Sequence, residues 1–201
     1  VKIVFQIPKT DPEKQAELLL QKWLKVKEPN SIFTAILFSI PFMILGLTIT
    51  IMLMSMFKSA NLENYGAHDG TISFNFNILF ITNIVLLLLL HELIHLILVP
   101  NFLKSPNTGL GIQFFGGFVF TEEIMSRKRF ILISIAPFGV ISIILPLILG
   151  AIGCLGPTLI FLMLLNALGS SVDLLNVWLI LFQVPKEAKI MNSGMSTFWK
   201  V

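Results

Sequence analysis

Four long apolar stretches dominate this chain and restrict what it can fold into. They run over about residues 31–56, 78–100, 130–152 and 158–184. Each exceeds the ~20 residues that a helix needs to cross the hydrocarbon core of a bilayer. Backbone amides in lipid must be satisfied within their own segment, so such stretches predict helices. Charged residues make up only 12% of the 201 residues, about half the share usual in a soluble domain. The expected fold is therefore an all-α integral membrane protein with about four spans.

The basic residues orient those spans. Lys2, Lys9, Lys14, Lys22, Lys25 and Lys27 precede the first span. Lys104, Arg127, Lys128 and Arg129 lie between the second and third. Lys186, Lys189 and Lys200 follow the fourth, and only Lys58 falls elsewhere. Cytosolic connections carry the Lys and Arg excess, so both termini and the middle loop are expected in the cytosol of a multi-pass protein of the cell membrane. Residues 1–30 read as a cytosolic N-terminal segment, 31–184 as the membrane domain with its core at 78–184, and 185–201 as a cytosolic tail.

Within the N-terminal segment, Val1 to Ile7 reads as a short strand. Thr10-Asp11-Pro12-Glu13 starts a helix that the pattern carries to about Lys27. Its apolar residues suit either a membrane surface or the protein's own cytosolic face. In the middle loop, two apolar runs flank Gly116-Gly117, which reads as the turn of a small β-hairpin. The Phe-rich strands of that hairpin need a surface to touch.

The second span holds the sequence His91-Glu92-Leu93-Ile94-His95. On a helix, residues four apart share one face, so both imidazoles can reach one metal ion. Glu92 beside them is placed to take a proton from water that a zinc ion has made acidic. Ionisable side chains inside a span are costly in lipid, which favours a functional site over scattered polar residues. The single cysteine, Cys154, permits neither an internal disulfide nor a cysteine cluster, so a metal must be held by His, Asp or Glu.

A catalytic zinc usually has three protein ligands. His68 lies in the outward loop, and Glu122 and Glu123 lie in the cytosolic one. Asp173 is the one acidic residue of the third and fourth spans. Helix lengths place it and the His pair at similar depth, each about 13–16 Å from the cytosolic end of its span. Asp173 is the expected third ligand; the alternative is a carboxylate satisfied by Ser or backbone partners. The small polar run Asn166 to Ser171 would let helices approach closely there.

This layout, His91-Glu92-x-x-His95 in one span and Asp173 in the span after next, resembles the site-2 protease class of intramembrane metalloproteases. The stretches Arg129-Phe130 to Ala136-Pro137 and Asn166 to Asp173 resemble more closely a bacterial family of zincin peptidases filed as a domain of unknown function. The resemblance covers about residues 78–184. It implies Zn2+ held by His91, His95 and Asp173, with Glu92 as the catalytic base and Asn166 binding substrate or stabilising the oxyanion. It departs from site-2 proteases in lacking proline between Asn166 and Asp173, and in having Leu174 after the aspartate. The function expected is zinc-dependent endopeptidase cleavage of a membrane-associated protein or peptide. The alternative is a non-proteolytic membrane metal protein: a transporter, a sensor or an inactive scaffold. Lipid and a protein or peptide substrate are the expected partners, and nucleic acid is not.

Overall fold

A computed structural model describes residues 2–4, 11–57, 67–68, 71–72, 77–113 and 116–201. Lys58, Tyr65 and Asp69 lie outside the described residues, and of His68 only the backbone is described.

Four helices are long and apolar enough to cross a membrane, at Ile32–Ser55, Ile78–Leu98, Arg127–Ala151 and Pro157–Gln183. Their bounds lie within a few residues of the apolar stretches. The first, α2, follows a short helix, α1 (Pro12–Leu20), and the second is α3 (Ile78–Leu98). The third is compound: α4 (Arg127–Pro137), a π-helical turn (Phe138–Ile144) and α5 (Leu145–Ala151). The fourth is α6 (Pro157–Gly169) and α7 (Ser171–Gln183), which meet at Ser170. Large apolar side chains such as Phe33, Phe38 and Ile44 are exposed on α2, as on a bundle solvated by lipid.

Small residues bring the spans together. A Cβ on Gly46 of α2 would stand 3.2 Å from the Ala167 carbonyl of α6. Ser39 and Ser171 join α2 to α7 through their hydroxyls at 3.2 Å, both wholly buried. Two arginines at the start of α4 cap the neighbouring helix ends. The Arg129 Nε–H donates to the Leu98 carbonyl (2.6 Å) and Arg127 donates to the Leu181 carbonyl (3.0 Å).

The expectation of an all-α fold needs correction, because the polar segments form sheets. One has the order β1-β5-β6, from Lys2–Val4, Thr108–Gln113 and Gly116–Thr121. The other has the order β2-β9-β8-β7, from Leu24–Lys25, Ser196–Lys200, Lys189–Ser193 and Met125–Ser126. A two-stranded pair, β3 (Ala67–His68) and β4 (Thr71–Ile72), lies between the first two spans. These segments are too short to bury a helix on all sides, whereas strands from three places can share one core. The pairing gathers the N-terminal segment, the middle loop and the tail at one end of the bundle.

The α1 helix is shorter than expected. Asp11 caps it, accepting from the Glu13 and Lys14 amides at 3.0 and 3.2 Å, and it ends at Leu20. Lys22 then takes a positive φ of 64° and turns the chain into β2. Leu18 and Trp23 bury themselves against Met191 and Phe198 of the tail hairpin, so α1 packs on the protein's own sheet. The tail is clasped further by Glu28, whose carboxylate accepts from the Thr197 amide (2.6 Å) and hydroxyl (3.2 Å).

In the hairpin of the middle loop the pairing runs as far as Gln113 with Gly116. Gly116 and Gly117 are strand residues, contrary to the turn read from the sequence. Phe118 and Phe120 lie over Gly111 and Gly109 of the facing strand, where any Cβ would meet their rings at 2.1–2.3 Å. The Phe-rich strand thus covers its partner's glycines.

Candidate metal centre

His91 and His95 stand one turn apart on α3, with ring centroids 4.9 Å apart. Asp173 sits in the first turn of α7, where the tight packing of Ser39 on Ser171 holds that turn against α2. The Asp173 Oδ2 lies 3.4 Å from the His91 Nε2 and 3.5 Å from the His95 Nε2. One atom from each of the three residues falls within 4.8 Å of the others. A tetrahedron with metal–ligand bonds of ~2.0–2.1 Å has edges of about 3.3–3.4 Å, close to both distances.

The hydrogen bonds behind the rings decide what those facing atoms are. The His95 Nδ1 lies 2.8 Å from the Ile133 carbonyl, which only accepts, so Nδ1 carries the proton. That carbonyl is free for a backbone reason. Its helical partner would be the amide four residues on, at Pro137, and proline has none. The His91 Nδ1 lies 2.9 Å from the Asn166 Oδ1. Asn166 is fixed in that orientation because its amide nitrogen donates to the Pro137 carbonyl (3.2 Å) and the Ser142 hydroxyl (2.9 Å). In its neutral form each imidazole would therefore aim an unprotonated Nε2 at the carboxylate. Three lone-pair donors converging on one point fit a divalent cation, and imidazole–imidazole–carboxylate suits zinc.

Glu92 does not join this cluster. It faces the middle-loop hairpin and packs against Gly117 of β6. A Cβ on Gly117 would fall 2.5 Å from the Glu92 Cγ, so only glycine lets the strand lie this close. A cavity of ≈ 350 Å³ opens beside His91, Glu92, Gly117 and Asn166 and extends along Ile84 and Leu88 of α3.

The structure thus brings together His91, His95, Asp173, Glu92 and Asn166. Glu122 and Glu123 are engaged elsewhere, with Lys14 at 2.5 Å and the Ser105 hydroxyl at 2.5 Å. The roles of Ile133, Pro137 and Gly117 at the site escaped the sequence reading. For the first two, the proline four residues after a helical carbonyl was the available signal.

The family model described as "Putative zincin peptidase" matches residues 84–189, just over half of the chain and all five of these residues. No curated protein and no solved structure matches it.

Proposed function

Because the chain belongs to this family of zincin peptidases, we propose that it is a zinc-dependent endopeptidase that cleaves a membrane-associated protein or peptide within the bilayer. The observation that carries the reading is the pair of oriented imidazoles facing Asp173. The order of the motif and the aspartate, on the second and fourth spans, supports a mechanism like that of site-2 proteases. The Lys and Arg excess at the strand-bearing end supports a cytosolic placement for it.

His91, His95 and Asp173 would hold the ion, which when bound supplies Lewis acidity toward water and a peptide carbonyl. Glu92 accepts a proton from the attacking water and returns it to the leaving amine. Asn166 takes a positioning role in this reading. Its amide hydrogens are spent on Pro137 and Ser142, so it orients His91 rather than donating to an oxyanion.

A peptide must be extended before its backbone can be attacked, and β6 offers an edge for this. Glu122 donates to the Asn107 carbonyl, so the even-numbered residues of β6 face β5. Gly117, Val119 and Thr121 then present their backbone groups outward, the first two beside Glu92. A substrate strand added to that edge would run past the base.

The test is metal content and cleavage measured together on the full chain in detergent. Wild type and Glu92→Gln should each hold about one zinc, and His95→Ala and Asp173→Ala should hold none. Glu92→Gln should cleave a single-span reporter ~10²–10⁴-fold more slowly. Undiminished cleavage by Glu92→Gln, or a metal-free wild type, would end this reading.

A further inference from the structure

The cavity beside the metal centre has two chemically different ends. One is polar, where His91 and Glu92 meet the edge residue Gly117 of β6. The other is walled by Ile84, Leu87 and Leu88 of α3 and by Leu165 of α6. Ile84, Leu88 and His91 recur at intervals of four and three residues, so one face of α3 carries both the ligand and the apolar wall. The volume of ≈ 350 Å³ lies at the small end of the ~300–1,000 Å³ usual for ligand sites.

Gly169, the last residue of α6, also lines this space and is exposed. A glycine inside a bundle ordinarily answers one of two needs. It lets another element approach closely, or it takes a backbone conformation that other residues avoid. Neither applies here. A Cβ on Gly169 would meet no neighbouring element within 4 Å, whereas one on Gly46 or Gly117 would stand 3.2 or 2.5 Å from its neighbour. Its φ is not positive, unlike those of Gly153 and Gly194. Within a helix glycine is otherwise a poor choice. What the missing side chain leaves open is the cavity, one turn from Asn166 and the His91 ring that Asn166 orients.

We propose that this cavity is a subsite for one large apolar side chain of the substrate, from a residue adjoining the bond to be cleaved, and that Gly169 sets the size it admits. The cavity begins at His91 and Glu92, the groups assigned to the metal and to the attacking water. Residues of an extended chain are ~3.3 Å apart, so a side chain entering beside Glu92 belongs to a residue next to that bond. An aliphatic or aromatic group suits the walls, whereas a charged one would be buried against them without a partner. The inference rests on the peptidase reading and deepens it by naming a class of substrate residue.

The experiment uses the zinc-loaded full chain in detergent, with acetohydroxamate and its longer-tailed homologue hexanohydroxamate as probes. The hydroxamate group stands in for the peptide group at the metal, and the hexanoyl tail for the neighbouring side chain. Affinities are compared for wild type, Gly169→Ala, Gly169→Leu and Gly156→Leu. The last puts the same side chain at the other end of α6, also in open space. Hexanohydroxamate should bind Gly169→Leu about 10-fold more weakly than wild type and Gly169→Ala about 3-fold more weakly, graded by the volume filled. It should bind Gly156→Leu as it binds wild type, and acetohydroxamate should bind all four chains alike. Undiminished binding of hexanohydroxamate to the Gly169 variants, or a matching loss in Gly156→Leu, would overturn the proposal. So would an equal loss of both probes, which would mark Gly169 as a structural residue only. If Gly169→Leu does not fold, Gly169→Ala decides by the same comparison. Failure of both probes on wild type would instead end the metal-centre reading, and the subsite with it.

Discussion

Replacing Pro137 with Ala tests whether a missing backbone hydrogen tunes the metal centre. Proline leaves the Ile133 carbonyl without its helical donor, and His95 Nδ1–H takes that place at 2.8 Å. Alanine restores an N–H aimed at the same oxygen. A carbonyl has two lone pairs and could serve both donors, but the helical bond would draw it toward the axis and away from the ring. Partners of this kind are worth ~10–100-fold in metal affinity. A weakened rather than deleted bond places the expected loss near 10-fold, or about 1.4 kcal/mol. The helix meanwhile regains a bond and loses a proline that costs ~3 kcal/mol in helix interiors. The wholly buried ring gives back part of that as lost packing. Metal-free Pro137→Ala should therefore melt at or above the wild-type temperature while binding zinc less tightly. Titration against a chromophoric zinc chelator, with thermal melts of the metal-free chains, reads both quantities. Unchanged zinc affinity would refute the argument. So would a lowered melting temperature with a matching loss of zinc, which would mark Pro137 as a packing residue only.

Two further substitutions probe the supports of the site. In Gly117→Ala, the new methyl would sit 2.5 Å from the Glu92 Cγ, so strand and side chain must part by about 1 Å. A misplacement of that size costs ~10²-fold in rate, and zinc stoichiometry should stay at the wild-type level. A Gly117→Ala enzyme that cleaves a reporter at full rate would remove Glu92 from this contact. Glu28, outside the spans, has its carboxyl pushed above the usual carboxylate range by burial, against the opposing pull of the Thr197 hydrogen bonds. The folded chain then holds this proton to a higher pH than the unfolded chain, so stability falls as pH rises from ~4.5 through the folded value. Glu28→Gln should match wild type in acid and exceed it at neutral pH in thermal melts; a constant difference across pH would contradict this.

The spans and the motif were legible because their signals are local. Hydropathy over ~20 residues marks each helix, and the spacing of His91 and His95 needs only one helical turn. Asp173 was legible for a different reason, as the sole acidic residue of its two spans. The strands were harder. In the tail, Lys189 to Lys200 alternates too briefly to stand out, and the strands are held by distant partners: β2 and α1 from the other end of the chain, and β7 from the middle loop. Gly116-Gly117 misled because two glycines between apolar runs locally favour a turn, whereas the demand on Gly117 comes from Glu92 on another element.

A pattern joins these cases. Glycine and proline read locally as interruptions, residues that weaken strands or break helices. Here each supplies the site with something by lacking an atom. Gly117 has no Cβ, and the strand edge can approach the carboxylate of Glu92. Pro137 has no amide hydrogen, and a carbonyl within a span becomes free to orient His95. Within a span a freed backbone group needs a partner, and here a side chain from another helix supplies it. A local break thus becomes a link between two spans, from the Ile133 carbonyl to the His95 ring.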